Sequence, residues 1–368
     1  MEQGETLEQS EKKRHLGTYL IAVLLFSAGF AAVAGTIHLL IRNKLYLHAD
    51  IRSEKLQLLD QWQGKAYSAA FGSSHVHNGF DPRTFDVALA GTPLQTRSLN
   101  LAIAGGSQAE QRVVALDFLQ TLHAPPHIGA NIESRACFVV LELGAGANFT
   151  NDHLVHPRAI NIYDADTVRF IEHLTSPNMG IRQRIGRVAY AGLAMILHYV
   201  NVGMLSNEIF APVIDEEAFR METVDDRRGL LSIPAPATVR QKLEEIIAES
   251  QGVAQPHPLP LLPGNAELLD QLSAATPVKP LSMVYLMMPM LGDLKSYPVT
   301  PDDIRWSGGT APIVNMARPD LYPQLYQAKY WTDEAHLNEQ GARLLTKLMA
   351  QQLKHWYAVH GEPQRCGG

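Results

Sequence analysis

Three side chains suited to acyl chemistry lie at opposite ends of the sequence. Near the amino end, Ser74 lies in segment 71–75 (FGSSH), directly after the run 65–70 (KAYSAA) of mainly small, aromatic and apolar residues. Small residues and serines at the end of a strand are typical of a sharp turn into a helix, which exposes a hydroxyl at the carboxyl edge of a sheet. Ser74 is therefore the candidate nucleophile, with Ser73 as the alternative.

A serine hydroxyl needs a base to take its proton, and the carboxy-terminal part of the sequence offers one. Asp333 and His336 lie three positions apart in segment 330–338 (YWTDEAHLN). In a turn, this spacing lets the carboxylate accept a hydrogen bond from the imidazole and fix its tautomer. Apolar residues recur at helical spacing from there through Leu353, which predicts a helix directly after the pair. The alternative is that Asp333 only caps this helix.

The serine turn, the Asp-x-x-His pair and segment 98–106 (SLNLAIAGG) together resemble the SGNH (GDSL-type) hydrolase superfamily. The sequence is most similar to its membrane-anchored bacterial members linked to O-acylation of cell-surface polysaccharides. The resemblance implies an oxyanion hole made by the backbone N–H groups of Ser74 and Gly105 and by an asparagine side chain. Asn148 is the nearest candidate for that asparagine, and 151–152 (ND) is the alternative.

The function implied by this resemblance is that of a membrane-anchored serine esterase or acyltransferase. Its substrate would be an O-acyl ester, above all an O-acetyl ester, of an extracytoplasmic polysaccharide, or another small ester, and it would need no cofactor. The alternative is a catalytically inactive protein of the same fold that binds polysaccharide or assembles with a membrane O-acyltransferase. The third block, 143–148 (LGAGAN), favours this alternative because it departs from the usual Gly-x-Asn-Asp, and Ser73 stands where the family usually has aspartate.

Composition excludes several other classes of protein. The 368 residues are 46% hydrophobic and 18% charged, which allows one large domain with an insertion or two modest domains. A net charge of −6 argues against a nucleic-acid partner. The two cysteines, Cys137 and Cys366, are too few for a disulfide framework or a metal cluster. His75 and His77 lack the accompanying ligands of a zinc site, so no metal is predicted.

The amino-terminal part of the sequence predicts a membrane anchor. A short polar tail (1–16) precedes an apolar stretch (17–42) of the length that spans a bilayer as a helix. A cleaved signal peptide is the alternative, because 32–34 (AVA) has a small-x-small pattern. Basic residues flank the stretch on both sides, so their count does not predict the orientation in the membrane. The resemblance alone predicts a single-pass protein of the bacterial inner membrane whose domain faces the periplasm. A helical stalk is predicted over 43–65.

The remaining chain predicts an α/β domain over 66–360. Alternating strands and helices indicate an open parallel five-stranded sheet flanked by helices, in a flavodoxin-like three-layer arrangement. A mainly helical insertion is predicted over about 147–276, with proline-rich linkers or surface loops at 234–236 and 255–260. Segment 187–205 is apolar on every side, so it is either a buried or docking helix or a second membrane span. The predicted strands are 65–70, 99–103, 137–142, 281–288 and 311–316.

Overall fold

The structure, a computed structural model, describes residues 2–41, 51–122, 136–144, 162, 165–173, 179–199, 227–231, 233, 236–250, 252, 254–276 and 281–363. Its strands are β1 (Ser68–Phe71), β2 (Ser98–Asn100), β3 (Phe138–Glu142), β4 (Gln255–Pro258), β5 (Ser282–Met287), β6 (Ser296–Val299), β7 (Asp303–Trp306) and β8 (Gly309–Asn315). Its α-helices are α1 (Glu2–Ile41), α2 (Ile51–Gln61), α3 (Ser74–Gly79), α4 (Pro82–Leu89), α5 (Gln108–Thr121), α6 (Ala165–His173), α7 (Ile181–Tyr199), α8 (Ala237–Ser250), α9 (Pro263–Ala275) and α10 (Glu339–His360).

An open, mostly parallel sheet forms the centre of the domain. Its strand order is β2-β1-β3-β5-β8-β7, and only β7 runs antiparallel to its neighbour. Counted along the chain, the five parallel strands have the order 2-1-3-4-5, one of the common orders of doubly wound sheets. In such a sheet the winding direction switches between β1 and β3, and a crevice opens there at the carboxyl ends of the strands.

The sheet has six strands, so the prediction of five is wrong. The missed strand, β7, is a four-residue edge strand that pairs with β8 across a tight hairpin, in which Trp306 lies opposite Gly309. Gly309 adopts a φ of 146°, which favours glycine. Gly308 packs so closely against the Trp306 ring that a Cβ there would collide with it. A strand this short leaves little periodic signal in the sequence.

Helices cover both faces of the sheet, as predicted. Successive strand residues point to opposite faces, so Ala69 and Phe71 belong to one core cluster and Ala70 to the other. The first cluster includes side chains from α2, α5, α6, α7 and α9. The second includes side chains from α3, α4, α8 and α10. Both faces are therefore buried, as expected of parallel strands.

Helix α1 carries the candidate membrane span. Its segment Gly17–Thr36 is, among the described residues, the one helical stretch long and apolar enough to cross a bilayer. The helix begins at Glu2, so the backbone of the polar tail continues the same helix. It ends at Ile41, one residue before the predicted end of the span.

Helix α2 differs from the predicted stalk because it packs into the domain. Leu58 and Leu59 are buried in the first core cluster, and the helix contacts α5. Lys55 is also buried, and its Nζ donates hydrogen bonds to the carbonyls of Asn100 (3.2 Å) and Gly229 (2.6 Å). Burial of these leucines explains why the segment joins the domain.

The described part of the predicted insertion contributes to the helical layers around the sheet. Leu268 of α9 and Phe170 of α6 lie in the first core cluster, and Leu243 of α8 lies in the second. Within the proline-rich run at 255–260, predicted as a linker or surface loop, residues 255–258 instead form the exposed strand β4, which pairs with β6. The prolines are tolerated because they alternate with the residues whose N–H groups bond to the neighbouring strand, such as Gln255.

Candidate functional site

The serine turn lies at the carboxyl end of β1. Gly72 follows the strand, Ser73 caps α3 by accepting the backbone N–H of His75 (3.3 Å), and Ser74 is the first residue of the helix. A Cβ at Gly72 would collide with a carboxylate oxygen of Glu142 at the end of the neighbouring β3. The sharp turn therefore depends on glycine at this position.

The segment with Asp333 and His336 is a loop held between two buried anchors. Trp331 and Leu337 are buried and form an isolated antiparallel bridge with each other. Inside the bridge, the backbone N–H of Thr332 donates to the carbonyl of His336 (2.8 Å). Asn338 then caps α10, as the predicted helix start requires. The loop is thus fixed on both sides of the histidine.

The structure brings Ser74, His336 and Asp333 into one hydrogen-bonded line. The Ser74 Oγ lies 2.8 Å from the Nε2 of His336, although the two residues are 262 positions apart. The Nδ1 of the same ring lies 2.9 Å from both carboxylate oxygens of Asp333. A carboxylate accepts only, so Nδ1 carries the proton and Nε2 presents its lone pair to the serine hydroxyl.

Asp333 is held in its ionised form by the loop. Its Oδ1 accepts hydrogen bonds from the backbone N–H groups of Ala335 and His336, both at 2.8 Å. Partial burial pushes the pKa of Asp333 upward, but these bonds and the His336 ring outweigh it and lower the pKa below its usual value. The carboxylate is therefore charged where it meets the imidazole.

Ser73 has a different environment from Ser74. Its side chain is buried, and its Oγ donates to Glu142 Oε1 (3.1 Å) while accepting the N–H of His75. The structure therefore brings the hydroxyl of Ser74, and not that of Ser73, to the ring of His336.

Gly105 lies in the turn that follows β2, next to the serine turn. The backbone N–H of Ile103 donates to the carbonyl of Gly72 (2.9 Å), and Gly106 approaches the same carbonyl so closely that a Cβ there would crowd it. Gly105 itself has a φ of 67°, a left-handed conformation that favours glycine, and it is exposed. The predicted backbone donor thus lies on the loop bonded to the serine turn. Asn148 and its alternative, 151–152, lie outside the described residues.

Asn100 supports α3 and was missed in the sequence. Its buried Nδ2 donates to the carbonyls of Val76 (2.8 Å), His77 (3.2 Å) and Phe80 (2.8 Å). These carbonyls include ones that the short helix leaves without an internal partner. Asn100 therefore fixes the end of the helix that begins at Ser74. Asn100 is the last residue of the observed β2, but it is only the second residue of the predicted strand 99–103, so no signal in the sequence indicated this role.

Glu142 is a second missed residue and holds the serine turn from the β3 side. Its buried carboxylate accepts the backbone N–H of Ser73 (2.5 Å) through Oε2, and its Oε1 lies 3.3 Å from His75 Nδ1. The His75 ring in turn stacks on His336, with centroids 5.4 Å apart. Through the His75 ring, Glu142 thus links the serine turn to the ring of His336, which contacts Ser74. A glutamate at the end of an apolar strand gave only a weak signal of this.

Asp293 lies behind the histidine loop. It is in a short 3₁₀-helix (Leu291–Leu294), where the Leu291 N–H donates to the carbonyl of Glu334 (3.0 Å). Its Oδ2 accepts the N–H of Met290 (2.7 Å) and the hydroxyl of Tyr326 (2.9 Å). Burial raises the pKa of Asp293 to about 6 in spite of these bonds.

His75 and His77 lie in α3, shortly after the candidate nucleophile. The described residues contain no group of three or more potential metal ligands. His75 instead pairs with Glu142. His77 is buried, and burial first, then the nearby charges of Lys55 and His336, lower its pKa well below the usual value. A neutral, buried His77 is therefore part of the support beneath the serine turn.

Comparison of the chain with known protein families and with curated proteins finds no match.

Proposed function

We propose that this protein is a membrane-anchored serine esterase or acyltransferase of the SGNH type. Its substrates are O-acyl esters, above all O-acetyl esters, of a polysaccharide outside the cytoplasm. One observation carries the proposal: the hydrogen-bonded line from Ser74 through His336 to Asp333, at 2.8 and 2.9 Å, at the carboxyl edge of the sheet. These are the distances at which a base activates a serine nucleophile.

The mechanism uses this line as a triad. His336 Nε2 takes the Ser74 proton as Oγ attacks the ester carbonyl, and Asp333 stabilises the resulting imidazolium. The backbone N–H groups of Ser74 and Gly105 stabilise the negatively charged oxygen of the tetrahedral intermediate. The ester C–O bond then breaks, and the leaving alcohol takes the proton from His336. An acyl-serine remains.

The second half-reaction decides between the two activities. In an esterase, His336 takes a proton from water as the water oxygen attacks the acyl carbon. The bond between this carbon and Ser74 Oγ then breaks, Oγ takes the proton from His336, and the free acid leaves. In an acyltransferase, a sugar hydroxyl replaces the water, and the new sugar ester leaves. If this protein is an acyltransferase, a membrane O-acyltransferase that assembles with it would supply the acyl groups.

The apolar span Gly17–Thr36 supports a membrane anchor. The location of the domain outside the cytoplasm rests on the family resemblance, and so does the polysaccharide substrate.

A fluorophosphonate probe tests the nucleophile. The full-length protein in detergent is expected to be labelled, Ser74→Ala to be unlabelled, and Ser73→Ala to keep its labelling. Ser73 is the matched control because it has the same side chain one residue away but bonds to Glu142 instead of His336. Labelling that persists in Ser74→Ala would refute the assignment of the nucleophile. A wild-type protein that stays unlabelled would favour an inactive polysaccharide-binding protein.

Product analysis then separates the two activities. The protein is incubated with acetylated glycans and model acetyl esters, with and without a sugar acceptor. Free acetate that is independent of the acceptor indicates an esterase. Acetylated acceptor, formed at the expense of free acetate, indicates a transferase.

A further inference from the structure

Helix α7 exposes an apolar face that the described residues leave uncovered. Its buried side consists of Arg187, Ala191 and Ala194, and Ala194 belongs to the first core cluster. The opposite side carries large apolar residues that follow one another at steps of three, four or eight positions, which places them on one face of the helix. They are between 41% and 71% exposed: Ile181, Ile185, Val188, Ile196 and Tyr199.

This face lies beside the membrane anchor. Helix α7 contacts α1. Within the apolar span, Ala34 is buried (6% exposed), whereas the side chains from 18 to 33 are exposed. The buried position in the span thus lies at its carboxyl end, which is the end closer to the domain.

The charges of α7 fit a position along the membrane surface better than one across the bilayer. Arg182, Arg184 and Arg187 all lie within its first seven residues, and the helix does not qualify as a membrane span among the described residues. Arg182 and Arg184 are exposed and suited to anionic lipid headgroups. Tyr199, at the other end, is an aromatic of the kind that accumulates at the headgroup level.

We propose that α7 is an in-plane docking helix whose apolar face lies in the boundary between lipid headgroups and acyl chains. The proposal rests on the membrane anchor of the proposed function. Docking turns the layer that contains α5, α6 and α7 toward the lipid. The opposite layer, with α3 and α10, faces the water, from which a polysaccharide reaches the serine.

Depth-dependent fluorescence quenching tests the proposal in the full-length chain. A tryptophan is introduced by Ile185→Trp or Ile196→Trp, and each variant is reconstituted in vesicles of zwitterionic and anionic phospholipid. The acyl chains carry bromine either near the headgroup or near the chain end. The wild-type signal of its four tryptophans is subtracted. Both substitutions are at exposed positions, and the thermal unfolding midpoint of each variant is compared with that of the wild type.

The geometry predicts equal depth at both positions. The two residues are eleven positions apart, about 16 Å along the helix axis. For an in-plane helix, both variants lose more emission to bromine near the headgroup than to bromine near the chain end. Val87→Trp is the matched control, because Val87 is an exposed apolar residue (76%) on α4 in the opposite layer, and it should lose no emission. Phe26→Trp, within the span of α1, should be quenched most by the deep bromine.

Different outcomes overturn different claims. If one α7 variant is quenched by shallow and the other by deep bromine, the helix crosses the bilayer and in-plane docking is wrong. If neither α7 variant is quenched but Phe26→Trp is quenched, the face contacts water, another part of the chain or a second copy. In that case docking is wrong and the membrane anchor is supported. If Phe26→Trp is not quenched either, the anchor itself fails. Fluorophosphonate labelling of Ser74 reports on the enzyme activity independently of all three.

Discussion

Replacing Asp333 with asparagine would remove the charge of this carboxylate and leave its hydrogen bonds to the backbone in place. Oδ1 accepts two backbone N–H groups at 2.8 Å, and an amide oxygen at the same place still accepts them. Oδ2 also lies 2.9 Å from His336 Nδ1, and the amide nitrogen that takes its place is a donor that faces the Nδ1 proton. The variant should therefore keep the loop, lose the negative charge and disfavour the tautomer that the triad requires.

The size of the loss follows from solvent exposure. Two unit charges about 4 Å apart interact by about 1 kcal/mol in water and about 4 kcal/mol at an effective dielectric constant of about 20. The Asp333 side chain is 51% exposed, so water screens much of this energy. We expect the lost charge alone to cost about 1–2.5 kcal/mol of transition-state stabilisation, or acylation about 5- to 70-fold slower. The amide donor beside Nδ1 adds to this loss, up to the loss of about 10⁴-fold known for a triad asparagine that imposes the wrong tautomer.

The assay is the rate of fluorophosphonate labelling of the full-length protein, together with hydrolysis of p-nitrophenyl acetate. Glu334→Gln is the matched control, because it removes the same charge from the same loop but its side chain pairs with Lys242. It should react at the wild-type rate. Asp333→Ala should unfold at a lower temperature than Asp333→Asn, since it leaves two backbone N–H groups without their acceptor. The reasoning is refuted if Asp333→Asn is labelled as fast as the wild type.

Two further predictions concern the supports of the site. Glu142→Gln should lower the free energy of unfolding by about 1–3 kcal/mol, because its amide group cannot accept both the Ser73 N–H and the Ser73 hydroxyl. Thermal unfolding and the rate of labelling measure this effect. An unchanged unfolding midpoint would contradict it. In the folded protein, Asp293 keeps its proton up to about pH 6, whereas in the unfolded chain it ionises near its usual pKa. The free energy of unfolding should therefore fall by about 3 kcal/mol as the pH rises from about 4 to 6. Asp293→Asn should abolish that decline in unfolding midpoints measured across this range, and a decline equal to that of the wild type would mean that another group causes it.

The sequence predicted the features that depend on local chemistry. The turn at Ser74 was predictable because small residues follow a short strand-like run. The loop with Asp333 and His336 was predictable because a carboxylate, an imidazole and a helix start lie within a few residues. The five parallel strands were predictable as apolar runs, since strands buried on both faces carry little polar interruption.

The features missed in the sequence depend on which elements become neighbours. Glu142 supports the serine turn only because β3 pairs with β1, which brings it to Ser73 from 69 positions away. Asn100 reaches α3 for the same reason, from β2 on the other side of β1. The burial of α2 against α5 likewise follows from tertiary packing, and its short amphipathic pattern fits a stalk equally well. No local pattern specifies these partners.

The long separation between Ser74 and His336 also bears on biosynthesis. The serine turn leaves the ribosome 262 residues ahead of its proposed base. The loop that carries His336 is fixed by Trp331, Leu337 and the helix that follows, so a nascent polypeptide that stops before this helix carries the hydroxyl without the imidazole. In the proposed mechanism, the serine therefore becomes reactive only after the segment through α10 has been synthesised.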